Sequence, residues 1–249
     1  MNTCDISIKE LIEEQRFEHV YQPLWDLSNW KIFGYESLIR IVNGGSIHNI
    51  EHLFQMAREQ GCLYELDTTS IKNSILHFPF LKQDKKLLFL NIYPSTILHD
   101  RFKRFLDDLV AHFPAIEGQI VFELNETKDE EEVWEISELK EKIRMIKDYG
   151  FYLAIDDVGK GASALQKIIE FQPDYIKLDR YFAKDLAMNK EKQRMVALLA
   201  SYCQKRSVLV LEGIEKEVDL AQAKLLKVPA AQGYLLGKPY KLGKSHKLV

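Results

Sequence analysis

Cysteine is scarce in this chain: Cys4, Cys62 and Cys203 are the three among 249 residues. An odd and widely dispersed set fits neither a disulfide framework nor a cysteine-rich zinc site. Long hydrophobic runs are missing too. Segment 195–200 (MVALLA) falls far short of the roughly 20 apolar residues that span a bilayer. The opening MNTCDISIKE lacks the apolar core of a signal peptide. The expectation is a cytoplasmic protein that does not enter a membrane. There is no basic excess either: 34 Lys+Arg against 37 Asp+Glu give a formal charge of −3. That excludes the usual footprint of a nucleic-acid polymer binder. It leaves room for a small phosphorylated ligand in a cleft whose sign is reversed by metal ions or arginines. The seven Pro and twelve Gly are scattered, and no linker-like stretch divides the chain. One domain over 1–249 is expected, with residues 8–17 as a helical extension across the barrel bottom and no separate sensor domain.

Hydrophobic patterning supplies the fold class. Strand-like segments occur near 18–27, 30–42, 86–92, 119–125, 151–157, 174–179, 207–212 and 230–235. Amphipathic stretches at 50–59, 62–78, 95–110, 130–149, 162–171, 185–205 and 216–227 fill the gaps. Strands alternating with helices indicate parallel βα units. The first two strands are separated only by Ser28 and Asn29, which is hairpin spacing and too short for a parallel crossover. An α/β chain forming a modified TIM-type (β/α)8 barrel, with the first strand antiparallel to the others, satisfies both patterns. A mixed open sheet is the rival.

Polar residues punctuate the strand ends. Glu36 follows WKIFGY, Asn91 follows LLFL and Glu123 follows QIVF. Asp156 and Asp157 follow FYLAI, Lys177 follows DYI and Glu212 follows VLVL. In a barrel these ends converge on one face, where active sites are built. Taken singly, each acid is most simply a cap for the next helix. Together they are not. Two like charges about 4 Å apart repel by roughly 4 kcal/mol at an effective dielectric near 20. A cluster of five carboxylates therefore calls for protonation or cations, and all-oxygen ligation selects Mg2+ or Mn2+ over zinc. Adjacent strand residues point to opposite faces, so Asp156 and Asp157 reach one site only where the strand gives way to a turn. Gly159 and Gly161 permit one. Two-cation sites of this kind favour phosphoryl displacement by water.

At these residues the chain resembles the EAL-domain family of cyclic di-GMP phosphodiesterases. The resemblance runs from about Tyr21 to Pro239. It is carried by Tyr21-Gln22-Pro23, by Glu36-Ser37-Leu38-Ile39-Arg40 in place of E-x-L-x-R, and by Asn91-Ile92-Tyr93-Pro94. Glu123 and Glu126 match E-x-x-E, 156–161 (DDVGKG) matches DD-x-G-x-G, and 173–179 (PDYIKLD) matches P-D-x-x-K-x-D. Glu212 and Glu215 match E-G-x-E, and Gln232 opens Q-G-Y. The resemblance implies a barrel with a reversed first strand and hydrolysis of cyclic di-GMP to linear pGpG. It implies one divalent cation held by Glu36, Asn91, Glu123 and Asp156, and a second held by Asp156, Asp157 and Glu212. Lys177 would contact and help activate the attacking water, and Gln232 would help position water or ligand. Arg40 would meet a substrate phosphate, Gln22 would lie in the ligand groove, and Glu126 would anchor the 156–161 loop. A homodimer is also compatible with the resemblance.

The loop departs from the family pattern. Where the family reads approximately DDFGTGYSS, this chain has Val158, Lys160, Ala162 and Ala164 at the altered places. A weakly active relative that binds cyclic di-GMP as a receptor, or acts through a protein partner, is the first alternative. A Schiff-base aldolase using Lys177 is a second, but nearby carboxylates raise a lysine pKa rather than lower it. A zinc hydrolase is a third, from His48-Asn49-Ile50-Glu51-His52, which spells H-x-x-E-H without an evident further ligand.

Overall fold

The structure, a computed structural model, describes residues 8–14, 16–42, 49–80, 85–124, 130–134, 137–160, 164–204 and 206–242. Eight strands close into a barrel in chain order. They are β1 (Phe17–Asp26), β2 (Lys31–Ile41), β3 (Leu87–Ile92), β4 (Ile120–Leu124), β5 (Tyr152–Val158), β6 (Tyr175–Leu178), β7 (Val208–Leu211) and β8 (Ala230–Ala231). β1 runs antiparallel to both neighbours, β2 and β8. The remaining pairs are parallel. The reversal follows from the short β1–β2 turn, in which Asp26 Oδ1 accepts from the Ser28 and Asn29 amides at 2.7 and 3.0 Å.

Helices cover the outside. α1 (Ile8–Glu13) precedes the barrel; α2 (Ile50–Glu59) and α3 (Leu63–His77) join β2 to β3, and α4 (Pro94–Leu98) and α5 (Phe102–His112) join β3 to β4. α6 (Glu131–Trp134) and α7 (Ser137–Asp148) follow β4, and α8 (Ala164–Phe171) follows β5. α9 (Arg180–Ala183) and α10 (Lys190–Cys203) follow β6, and α11 (Glu217–Leu225) follows β7. The expected single helix over 95–110 is two, and the expected 130–149 helix is described as α6 and α7, with 135–136 outside the described residues. The first breaks where His99, in an extended conformation, ends α4. The expected strand over 230–235 shrinks to two residues, since the chain turns off the sheet at Gln232. α1 packs with Phe17, Ile39, Leu53 and Leu66 on the flank formed by α2 and α3. That lies beside the start of β1, where Phe17 pairs with Ile41, and not across the far end of the barrel. No described helix is long and apolar enough to cross a membrane. Cys62 and Cys203 are buried free thiols, and Cys4 lies outside the described residues.

Period-two alternation sorts the strand residues into two cores. Leu88, Leu90, Ile120, Phe122, Leu153, Ile155, Ile176, Leu178, Leu209 and Leu211 face the helices in the main core. Leu24, Phe89, Val121, Ala154, Val210 and Ala230 form a dry layer inside the barrel. Gly34 completes this layer by omission: a Cβ there would lie 2.9 Å from Leu87 O and 2.9 Å from the Phe89 ring. Two residues further along each parallel strand, the next inward position falls at the C-terminal end. Those positions are Glu36, Asn91, Glu123, Asp156, Lys177, Glu212 and Gln232. The dry layer thus forms the floor of a polar cup.

Candidate active site

Lys177 occupies the centre of the cup and is fully buried. Its Nζ lies 2.9 Å from Glu123 Oε1, 2.9 Å from Glu212 Oε1, 3.3 Å from Glu36 Oε2 and 3.4 Å from Asp156 Oδ1. Burial alone would lower its pKa. The carboxylates of Asp156, Glu123, Glu212 and Glu36 together outweigh that and hold it well above the usual lysine range. The surrounding carboxylates therefore favour the ammonium form, which donates hydrogen bonds. This removes the chemical basis for a Schiff-base nucleophile.

The acids show the complementary strain. Burial raises Glu123 well above the ordinary carboxylate range, and Glu36 and Asp156 add to the shift against the opposing Lys177. Glu212 is likewise raised, first by burial and then by Asp156. Among the described residues, the Lys177 ammonium is the one partner of the buried Glu123 carboxylate. Gln232 is turned onto Glu36, donating to Oε2 at 2.7 Å. Gln22 stands opposite Glu36 in the β1–β2 register and donates to Gly237 O at 3.1 Å. Asn91 stands opposite Glu123 and borders the cavity.

Asp156 and Asp157 converge as the turn argument requires. β5 loses its regular register with β6 between Ile155 and Val158, and Asp157 adopts φ 54. Such a left-handed non-glycine residue costs about 1–3 kcal/mol and is characteristic of functional sites. The result is that Asp156, Asp157 and Glu212 each offer a carboxylate oxygen within 4.8 Å of the others. An all-oxygen donor set, buried carboxylates held above their normal pKa and a Glu123 carboxylate partnered by Lys177 alone among the described residues fit hard divalent cations.

A cavity of about 450 Å³ opens over this cup, bordered by Glu36, Arg40, Asp67, Asn91, Tyr93 and Asp157. Arg40 is exposed near the end of β2, with Nη1 donating to Ile39 O at 2.8 Å. Gln22 and Gln232 are tied into the wall rather than bordering this space. Glu126 lies outside the described residues, as does His48. The remaining Glu51 and His52 sit exposed at the start of α2.

The family model described as "EAL domain" matches residues 6–239. The chain belongs to the EAL domain family. It is 30% identical over 260 residues to "Probable cyclic di-GMP phosphodiesterase PdeI" of Escherichia coli K12, covering 98% of this chain and 32% of that protein. The chain thus spans about a third of the length of that curated relative. An EAL domain protein from Listeria monocytogenes EGD-e superposes with a TM-score of 0.80 at 24% identity, covering 95% of each chain. Klebsiella pneumoniae BlrP1, solved as a manganese/cy-diGMP complex, superposes with a TM-score of 0.77 at 27% identity, covering 91% of this chain and 56% of that one.

This EAL domain also holds polar residues that the motifs did not single out. Asp67, on α3, is buried and accepts from the Tyr93 amide at 3.0 Å, two residues beyond Asn91. Burial pushes its carboxyl up to about 7. Glu130 is fully buried. It pairs with Arg58 and accepts from the Ser95 amide and hydroxyl, each at 2.8 Å. Together these acids fix the segment that follows β3. Asp67 is visible in the sequence only as an acid inside LYELDTTSI, where helical spacing places it on the inward face of α3.

Proposed function

We propose that this EAL domain hydrolyses one phosphodiester bond of cyclic di-GMP to linear pGpG. The observation that carries the reading is the buried cup itself. Four carboxylates surround the Lys177 ammonium and Asp157 lies beside them, next to a cavity with an arginine at its rim. Glu36, Asn91, Glu123 and Asp156 would hold one divalent cation, Mg2+ or Mn2+, and Asp156, Asp157 and Glu212 a second. Bound there, such ions supply Lewis acidity and lower the pKa of water.

The chain's own residues supply the rest. Lys177 orients the attacking water by donating to its oxygen, and its charge offsets part of the five carboxylates. Gln232 fixes the Glu36 carboxylate through the 2.7 Å hydrogen bond. Arg40 meets a non-bridging phosphate oxygen of the substrate, for which a guanidinium fork is well shaped. Gln22 holds the groove wall where β1 meets the segment around Gly237. Glu126 would anchor the loop that follows β5. Water adds to phosphorus, the bond from phosphorus to the 3′ oxygen breaks, and that oxygen leaves with a proton.

The test is incubation of the purified chain with cyclic di-GMP and Mg2+ or Mn2+, following pGpG by chromatography. Product that forms only with added metal, and is lost in Glu36→Ala, supports the reading. Tight binding of cyclic di-GMP without product would make the domain a receptor instead. The altered 158–164 segment is the reason to measure binding and turnover in one sample.

A further inference from the structure

Lys160 places a second ammonium group beside the carboxylates. Its Nζ lies 2.6 Å from Asp157 Oδ1 and 3.2 Å from Asp179 Oδ2. The backbone directs it there. Asp157 and Gly159 carry φ 54 and 108, and the Lys160 amide closes a turn onto Asp157 O at 3.1 Å. A Cβ on Gly159 would fall 2.3 Å from the Phe182 ring, so this turn is pressed against α9. Asp179 is fixed as well. It caps α9 by accepting from the Tyr181 amide through Oδ1 at 2.9 Å, which leaves Oδ2 facing Lys160. Both partners of the ammonium are thus held by the backbone around them.

Asp157 is also one of the three residues whose oxygens converge with those of Asp156 and Glu212. We propose that Lys160 is a tethered competitor for the cation position formed by Asp156, Asp157 and Glu212. A divalent ion that takes Asp157 Oδ1 must first displace the ammonium, which can retreat to Asp179. The contact is well within a Debye length, so salt screens this repulsion only in part. The domain therefore takes up that ion only at a higher metal concentration than a loop with a neutral residue at 160, such as the Thr of the family pattern. This deepens the phosphodiesterase reading and rests on its two-cation site.

The experiment is a titration of Mn2+ into the purified chain without nucleotide, reading free ion by electron paramagnetic resonance. Lys160→Thr and Lys160→Gln are both expected to tighten the weaker of two sites by about tenfold. Lys160→Arg, which keeps the charge, is expected to stay within about twofold of the natural chain. Neutral variants that bind Mn2+ no tighter, or more weakly, overturn the inference and leave the two-cation reading standing. A natural chain and variants that all bind no Mn2+ overturn both. Melting curves in EDTA confirm that each variant is folded.

Discussion

Lys177 joins four carboxylates that come from four different strands or strand ends, so its role in the protein without metal is structural as well as chemical. Breaking such a buried ion cluster by removing one partner costs about 3–5 kcal/mol. Lys177→Met is therefore expected to lower the melting temperature most in EDTA. Added Mn2+ should recover much of the loss, because cations replace the missing charge. Calorimetry with and without metal reads both effects, and a metal-independent loss would rule against this account. His19 gives the pH counterpart. Burial first, and then His77, lower its pKa from 6.5 to about 4, with Nε2 3.1 Å from Ser70 Oγ. The unfolded chain then binds a proton that the folded chain refuses between those two values. Stability consequently falls as pH drops through that window, by about 2 kcal/mol between pH 7 and pH 5. Urea unfolding at the two pH values should show this slope reduced by that amount in His19→Gln.

At the scale of the element, the polar cup was legible because a strand writes its two faces in alternate letters. LLFLN, IVFE and VLVLE each announce an apolar strand that ends in a polar residue, and the structure places Glu123 and Glu212 against Lys177 with Asn91 beside Glu123. Less legible was how wall and cavity divide. Gln22 and Gln232 lie in recognisable motifs, yet their hydrogen bonds turn them into the wall. That outcome depends on Gly237 and Glu36, far away in sequence. Asp67 was harder still, since its partner is a backbone amide. The helix break at 99 also went unread, because amphipathic spacing continues across a short interruption. Gly34 supplies an element-scale test. Gly34→Val should drive a side chain into Leu87 and Phe89, with an overpacking cost of about 1–3 kcal/mol. Phe89→Leu in the same chain should return part of it, as a double-mutant cycle by urea unfolding would show.

For the molecule as a whole, divalent cations should act as a structural ligand as well as a chemical one. At a concentration about 100 times its dissociation constant, one bound ion stabilises the fold by roughly 2.7 kcal/mol. For a domain of this size that is a rise of about 5–10 °C in melting temperature. The rise should vanish with EDTA and be largely lost in Asp156→Asn, which removes a ligand common to both proposed ions. An unchanged melting temperature at saturating Mn2+ would contradict the two-cation cup.

The reversed β1 has a mechanical consequence. Because that strand runs backwards, residue 17 lies at the rim of the cup. The chain leaves the barrel at the same rim, where Tyr240 bonds back to Tyr21 through both backbone groups, at 2.8 and 3.0 Å. Gln22 is five residues in from Phe17, and Gln232 directly follows the last strand. A tug on the segment entering β1 or on the one leaving after Tyr240 is therefore felt at the rim first. In a barrel with a forward first strand, the same tug would have to travel the length of a strand, about 20 Å for six residues, before reaching those groups. The fold wires both the entry and the exit of the barrel to the mouth of the cup, as a drawstring is threaded through the neck of a bag.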